Sequence, residues 1–227
     1  MKKKILVVAA HPDDEVLGCG GTITRLSGEG HAVHIAIMGE GITSRVDSRD
    51  NATKLKGLET ACSAASRIMG AYQPEMLSLP DNRFDTVPLL DIVQTIEGLV
   101  DKIKPDAIFT HHPGDLNIDH VITNRAVFTA TRPLPGHCVR EVYLFEIPSA
   151  TEWGFQKLGP IFKPNLFYNI ETQLPVKIEA LRAYESEIRA FPHPRSEKAV
   201  IAAAQRWGSW VGHNAAEPFE IARIVHA

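Results

Sequence analysis

The sequence predicts a three-layer α/β fold with a mainly parallel sheet flanked by helices. Two observations carry this. Short apolar runs alternate with longer stretches of helical periodicity along the chain, and such alternation builds parallel sheets covered on both faces. The second is a cluster of ionisable groups, Ala10-His11-Pro12-Asp13-Asp14-Glu15, placed at the carboxyl end of the first apolar run. Ligands in open parallel sheets bind outside the carboxyl ends of the strands.

Taken in order, Ile5 to Ala10 reads as the first strand. Val16 to Ser27 reads as a helix, with Leu17, Ile23 and Leu26 inward and Gly28-Glu29-Gly30 as its stop. Its start, Gly18-Cys19-Gly20-Gly21, permits close backbone approach. That spacing is not the dinucleotide fingerprint, because ionisable residues intervene between strand and glycines. Ala32 to Met38 is the second strand, completing a right-handed parallel βαβ unit. A polar loop, Gly39 to Asp50, follows, then a helix over Asn51 to Met69 closed by Gly70.

Met76 to Leu79 is a short strand that ends in the turn Pro80-Asp81-Asn82-Arg83. Leu89 to Lys102 is helical, with Leu89, Ile92, Val93, Ile96, Leu99 and Val100 on one face. Ala107 to Thr110 is a strand that delivers His111 to His120, and Asp119 to Ala130 is again helical. Val142 to Phe145 and Asn165 to Ile170 are extended. Lys177 to Arg189 and Val200 to Val211 are helices. No repeat, low-complexity tract or linker divides the chain, so residues 1–227 are expected to form one domain with a Rossmann-like arrangement.

Composition narrows the function. The net charge of −3 gives no basic footprint for nucleic acid. No apolar run approaches the roughly 20 residues that cross a bilayer. Lys2-Lys3-Lys4 leads straight into a strand rather than a signal-peptide core. Cys19, Cys62 and Cys138 are scattered and odd in number, which suits a reduced, cytoplasmic setting rather than a disulfide framework.

Unpaired carboxylates at the tip of a buried strand cost several kcal/mol each, roughly, and a divalent metal would reverse that. A catalytic zinc uses three protein ligands and one open position. His11, Asp14 and His120, the last from the second strand-end cluster His111 to His120, would supply two imidazoles and one carboxylate. Asp13 would then face the activated water. Glu15 reads as a support or a helix-start carboxylate, and Asp119 as an orienting group or an N-cap.

These motifs carry a family resemblance. AHPDDE near the N-terminus with a distal Asp119-His120 resembles the PIG-L/LmbE family of zinc-dependent N-deacetylases. Lys177-x-x-Ala180-Leu181-x-x-Tyr184-x-Ser186 and Ala216-Glu217-x-Phe219 resemble later segments of the same family. The resemblance implies His11, Asp14 and His120 as zinc ligands, with other divalent first-row metals also acceptable to such a set, and Asp13 as general base. It implies removal of an N-acetyl group from an amino sugar or its conjugate, and a homo-oligomer. Several relatives place an assisting histidine where Asn117 stands here. Asn cannot shuttle a proton at neutral pH, so the helper is sought among His193, Asn117 and Asp119, with His193 preferred.

Arg45, Asn82, Arg83, His112 and Arg195 are expected to bind substrate from strand-end loops. Trp153, Trp207 and Trp210 could each stack on a sugar, but aromatics at helical spacing more often pack, and Trp207 and Trp210, three apart, read as core or subunit contacts. Two other readings stay open. One is a non-catalytic module binding a nucleotide or sugar. The other is a hydrolase of a different small amide, such as N-formyl or carbamoyl.

Overall fold

The computed structural model describes residues 2–41, 51–155 and 157–226. Seven strands form one sheet in the order β3-β2-β1-β4-β5-β7-β6. They are β1 (Lys4–Ala9), β2 (Ala32–Gly39), β3 (Glu75–Leu79), β4 (Ala107–His111), β5 (Glu141–Phe145), β6 (Leu166–Asn169) and β7 (Ala216–Ile224). β1 to β5 run parallel. β7 lies antiparallel between β5 and β6. Among the described residues six α-helices accompany them: α1 (Asp14–Gly28), α2 (Asn51–Ile68), α3 (Leu89–Ile103), α4 (Ile118–Ala130), α5 (Leu174–Arg182) and α6 (Glu197–Trp210).

The period of two along each strand sorts side chains onto the two faces. Ile5, Val7, Ile35 and Phe109 meet the core shared with α1, α2 and α5. Leu6, Val8, Met38 and Ile108 meet the opposite core, with α3 and α4. The three-layer expectation therefore holds. Chain order turns at the β1/β4 boundary, since β2 and β3 are added on one side and β4 and β5 on the other. That boundary is the switch point where a crevice opens. His111 at the end of β4 locks it: its Nε2 accepts the Ala10 N–H at 2.8 Å.

Two expectations are corrected, and one strand is added that the sequence reading did not assign. α1 begins earlier, at Asp14, and breaks at Cys19 (φ −147°, ψ 22°). The break frees the Gly21 and Thr22 N–H groups, and both donate to the Glu217 carboxylate at 2.9 and 2.6 Å. Lys177 donates to the Leu17 carbonyl and to Glu217 at 2.9 and 2.6 Å. Lys177 and Glu217 are both buried, so the two later sequence segments meet in one buried ion pair that mends the kink. Second, the helix expected over Lys177 to Arg189 runs only over Leu174–Arg182. The chain then turns, which releases Tyr184, Glu187 and Arg195 toward the head of β1. The added strand is Ala216–Ile224. Pro218 pairs in register with Phe167 of β6, and it is tolerated because it lies beyond the last β5 pair, Leu144 with Glu220, so β7 is an edge on that side there.

Candidate active site

β1 ends at Ala9, and the next residues turn tightly into α1. His11 donates its backbone N–H to Asp14 Oδ2 at 3.0 Å. Asp13 takes the left-handed conformation, φ 101° and ψ −25°, which is strained for a residue with a Cβ. Its carbonyl accepts the first N–H groups of α1, from Val16 and Leu17 at 3.1 and 2.9 Å.

His120 arrives on the first turn of α4, and three side chains converge. His11 Nδ1 lies 3.3 Å from His120 Nε2 and 3.4 Å from Asp14 Oδ2. His120 Nε2 lies 3.2 Å from Asp14 Oδ2. The three donor atoms fall within 4.8 Å of one another, all from buried residues. Asp14 Oδ1 is buried with no hydrogen-bond partner among the described residues. Two ring nitrogens facing each other across a carboxylate, with an orphaned carboxylate oxygen beside them, fit a divalent cation.

The outer atoms of these ligands are also held. His11 Nε2 meets Asp119 Oδ2 at 2.9 Å and Asp81 Oδ1 at 3.3 Å. Asp119 in turn accepts the Asn82 and Phe84 N–H groups at 2.6 and 3.0 Å. His120 Nδ1 lies 3.1 Å from Asp115 Oδ2, and Asp115 accepts the Thr151 hydroxyl at 2.8 Å. Carboxylates behind ligand imidazoles fix ring orientation and tautomer.

Electrostatics agree with a site made for positive charge. Burial opposes a charge on His11, but hydrogen bonds to Asp119 and Asp14 hold its pKa at about 10. Burial likewise opposes a charge on His120, and Asp14 and Asp115 raise it to about 9. Burial disfavours the Asp14 carboxylate, yet His120 and His11 hold its pKa well below the ordinary range. His111 stays neutral, lowered by burial and by His120. Burial pushes Asp13 up, with Asp14, Glu187 and Glu15 adding to it and Arg195 pulling it back.

The structure brings together most of the residues expected here. A cleft of about 120 Å³ is lined by His11, Asp13, Asp81, Asn82, Asn117 and Arg195 among others. Arg195 Nη1 donates to Asp13 Oδ2 at 2.9 Å, while its Nε donates to Ser149 Oγ at 2.9 Å. Asn117 caps α4 through Oδ1 and donates from Nδ2 to Asn82 Oδ1 at 3.1 Å. Asp119 reads as an orienting carboxylate rather than a cap.

Others lie elsewhere. The His193 ring packs edge-on against Trp153 at 5.5 Å, its Nδ1 accepts the Arg195 N–H, and it does not line this cleft. His112 accepts the Gly114 N–H, faces Phe162 and lies 3.6 Å from Glu220, also outside the cleft. Arg83 is exposed. Arg45 lies outside the described residues. Trp207 is buried, donates to Glu146 Oε1 at 2.6 Å and meets Trp210 at 4.8 Å.

Sequence reasoning passed over Asp81, Asp115 and Glu187. The first two had a readable signal, since each is an acidic residue in the loop after a strand, two residues past Leu79 and four past His111. Glu187 had none, because the expected helix through Arg189 hid its return to the site.

Similarity to known proteins bears on the same residues. Residues 6–131 match the model of the PIG-L family, described as GlcNAc-PI de-N-acetylase. An uncharacterized deacetylase, YaiS, of Escherichia coli is 28% identical over 82% of this chain and 92% of its own. A probable N-acetyl-alpha-D-glucosaminyl L-malate deacetylase of Bacillus cereus is 27% identical over 84% of this chain and 86% of its own. The N,N'-diacetylchitobiose deacetylase of Pyrococcus horikoshii shares the fold, with a TM-score of 0.79 at 21% identity over 97% of this chain and 84% of that one. The matched segment exceeds half the chain and runs from β1 through α4, so it contains both strand-end clusters and all three converging ligands. On that match the chain belongs to the PIG-L family of de-N-acetylases.

Proposed function

We propose that the protein is a metal-dependent hydrolase that removes an N-acetyl group from an amino sugar or amino-sugar conjugate. His11, Asp14 and His120 hold the metal, and Asp13 is the general base. The observation that carries this is the convergence of those three ligands beside a carboxylate that is aimed by Arg195 into the same cleft. The relatives' activities, a probable one on N-acetylglucosaminyl malate and one on diacetylchitobiose, support the substrate class. The small cleft suits a short acyl group. The ligand chemistry favours zinc, with iron, cobalt or nickel as alternatives. Among the described residues no helix is long and apolar enough to cross a membrane. A cytoplasmic setting is supported by three free cysteines.

The chain's own residues divide the work. The bound ion would supply Lewis acidity, bringing water into reactive range near neutral pH and polarising the amide carbonyl. Asp13 accepts the proton of the attacking water as the new C–O bond forms, and returns it to the amine as the C–N bond breaks. The second water proton leaves on the new carboxyl group, so the products are acetic acid and the amine, which separate at neutral pH as acetate and an ammonium group. Arg195 holds the Asp13 carboxylate in the orientation this transfer needs. The Arg195 contact with Asp13 supports Arg195, rather than His193, as the assisting group. Asn82 and Asn117 present amide groups at the cleft for sugar hydroxyls.

Metal analysis combined with acetate release from N-acetylglucosaminyl malate and N,N'-diacetylchitobiose tests the assignment. The expected result is one divalent ion per chain, acetate release that a chelator abolishes, and an Asp13→Ala variant that keeps its ion while kcat falls about 10²- to 10⁴-fold. Full turnover in Asp13→Ala overturns the base assignment. Tight sugar binding with no acetate release from any amide offered returns the protein to a non-catalytic reading.

A further inference from the structure

The base assigned above has a backbone that ought not to stay where it is. Asp13 sits at φ 101°, a conformation strained for a non-glycine residue. Such strain persists only when its surroundings over-determine it. The Asp13 carbonyl is fixed by the start of α1, and its carboxylate is held by Arg195. The remaining handle is its N–H, which donates to Glu15 Oε2 at 3.1 Å.

Glu15 is itself fully buried and needs something to hold it. Its other oxygen, Oε1, accepts the Tyr184 hydroxyl at 2.6 Å. Tyr184 is also fully buried, and its hydroxyl meets the Cys62 thiol of α2. The link from the turn after α5 to the turn after β1 thus runs through two side chains that have no access to solvent or substrate. The stretch that carries Tyr184 continues to Arg195, so one segment grips Asp13 at both its backbone and its carboxylate.

We infer that Tyr184 is a positioning residue for the general base: through Glu15 it holds the left-handed Asp13 backbone, and so the aim of the Asp13 carboxylate. This rests on the assignment of Asp13 as base. It gives the Tyr184 segment of the sequence a role in turnover rather than in packing alone.

The test uses the full-length metal-loaded enzyme with N,N'-diacetylchitobiose as probe, with Asp13→Ala as reference. Tyr184→Phe keeps the ring and removes the hydroxyl. Its kcat should fall roughly 10- to 100-fold, with KM and metal content within twofold of the parent. Glu15→Ala should fall at least as far, and combining it with Tyr184→Phe should add no further loss, since both cut one link. Glu15→Gln keeps an oxygen for the Asp13 N–H and should recover at least tenfold over Glu15→Ala. Unchanged kcat in Tyr184→Phe, a loss confined to KM, or full additivity in the double variant overturns the inference. If Tyr184→Phe does not fold, the Glu15 pair decides, and equal kcat for Glu15→Ala and Glu15→Gln overturns it. An active Asp13→Ala instead removes the base assignment itself, and that outcome is distinct from the others.

Discussion

Asp13 and Arg195 show how a single contact can set the working state of a carboxylate. Burial raises the Asp13 pKa and neighbouring carboxylates add to the effect, while the guanidinium 2.9 Å away counters both. Arg195 can do this because its Nε is anchored on Ser149 while Nη1 reaches Asp13. A lysine supplies charge but not that two-ended fork. Arg195→Lys is therefore expected to lower kcat by about tenfold and Arg195→Ala by about 100-fold, with metal content unchanged by elemental analysis. Loss of metal in these variants would show that Arg195 holds the ligand turn rather than the base. Of this site, His11, Asp13, Asp14 and His120 were legible because ionisable residues at strand ends have no structural excuse. The Arg195 partnership was only half legible. The residue was visible as a loop cation, but its partner lies 182 positions away, and nothing local encodes that distance.

At the level of elements, α1 depends on β7 and α5 more than on its own sequence. Its glycine-rich stretch lets the helix lie close to the sheet. A Cβ at Gly18 would stand 2.5 Å from the Phe145 ring, and one at Gly21 would stand 2.8 Å from Ile170. The same stretch weakens the helix, which breaks at Cys19, and the Glu217 carboxylate caps the second half. Removing that carboxylate leaves the Lys177 ammonium buried without its partner. Glu217→Ala is expected to cost about 3–5 kcal/mol, and a double Glu217→Leu/Lys177→Met variant should recover part of it. Urea denaturation of both variants measures this, and a double variant no better than the single would show that the capping of Gly21 and Thr22 dominates. The helix end was readable from Gly28, whereas its start was expected at Val16 and falls at Asp14, inside AHPDDE. The break was not, because the glycines permit it and only Glu217 and Lys177 make it stable.

Across the whole molecule, the sheet order places the β1 and β4 ends side by side and the later strands wrap around to close the site. Glu146, just past β5, ties this side to α6 through the Trp207 N–H at 2.6 Å. Burial raises its pKa to about 7, with Trp207 opposing the shift and Glu152 adding to it. The folded state thus binds this proton more tightly than the unfolded chain, whose glutamate titrates near 4.5. The group costs nothing below pH 4.5, and it destabilises the fold progressively as pH rises through 7. Glu146→Gln keeps an acceptor for Trp207 and cannot ionise. Its Tm relative to the parent should rise between pH 5 and pH 8, by the equivalent of about 1–3 kcal/mol, allowing for its partial exposure. A pH-independent difference in Tm would place the ionised form in equal standing in both states.

The sequence by itself determined the layers, the parallel core and the chemistry of the two strand-end clusters. Periodicity and the cost of unpaired carboxylates are local properties, written in neighbouring residues. The tertiary structure alone decided which distant groups complete them. Arg195 reaches Asp13, Tyr184 reaches it through Glu15, and Glu187 joins the same cleft, because the chain stops being helical at Arg182 and turns back, against a helical pattern that continues in the sequence. Glu217 and Lys177 meet because β7 is inserted antiparallel between β5 and β6. Such meetings arise from long loop closures that packing energy selects, and no short stretch of sequence carries that information.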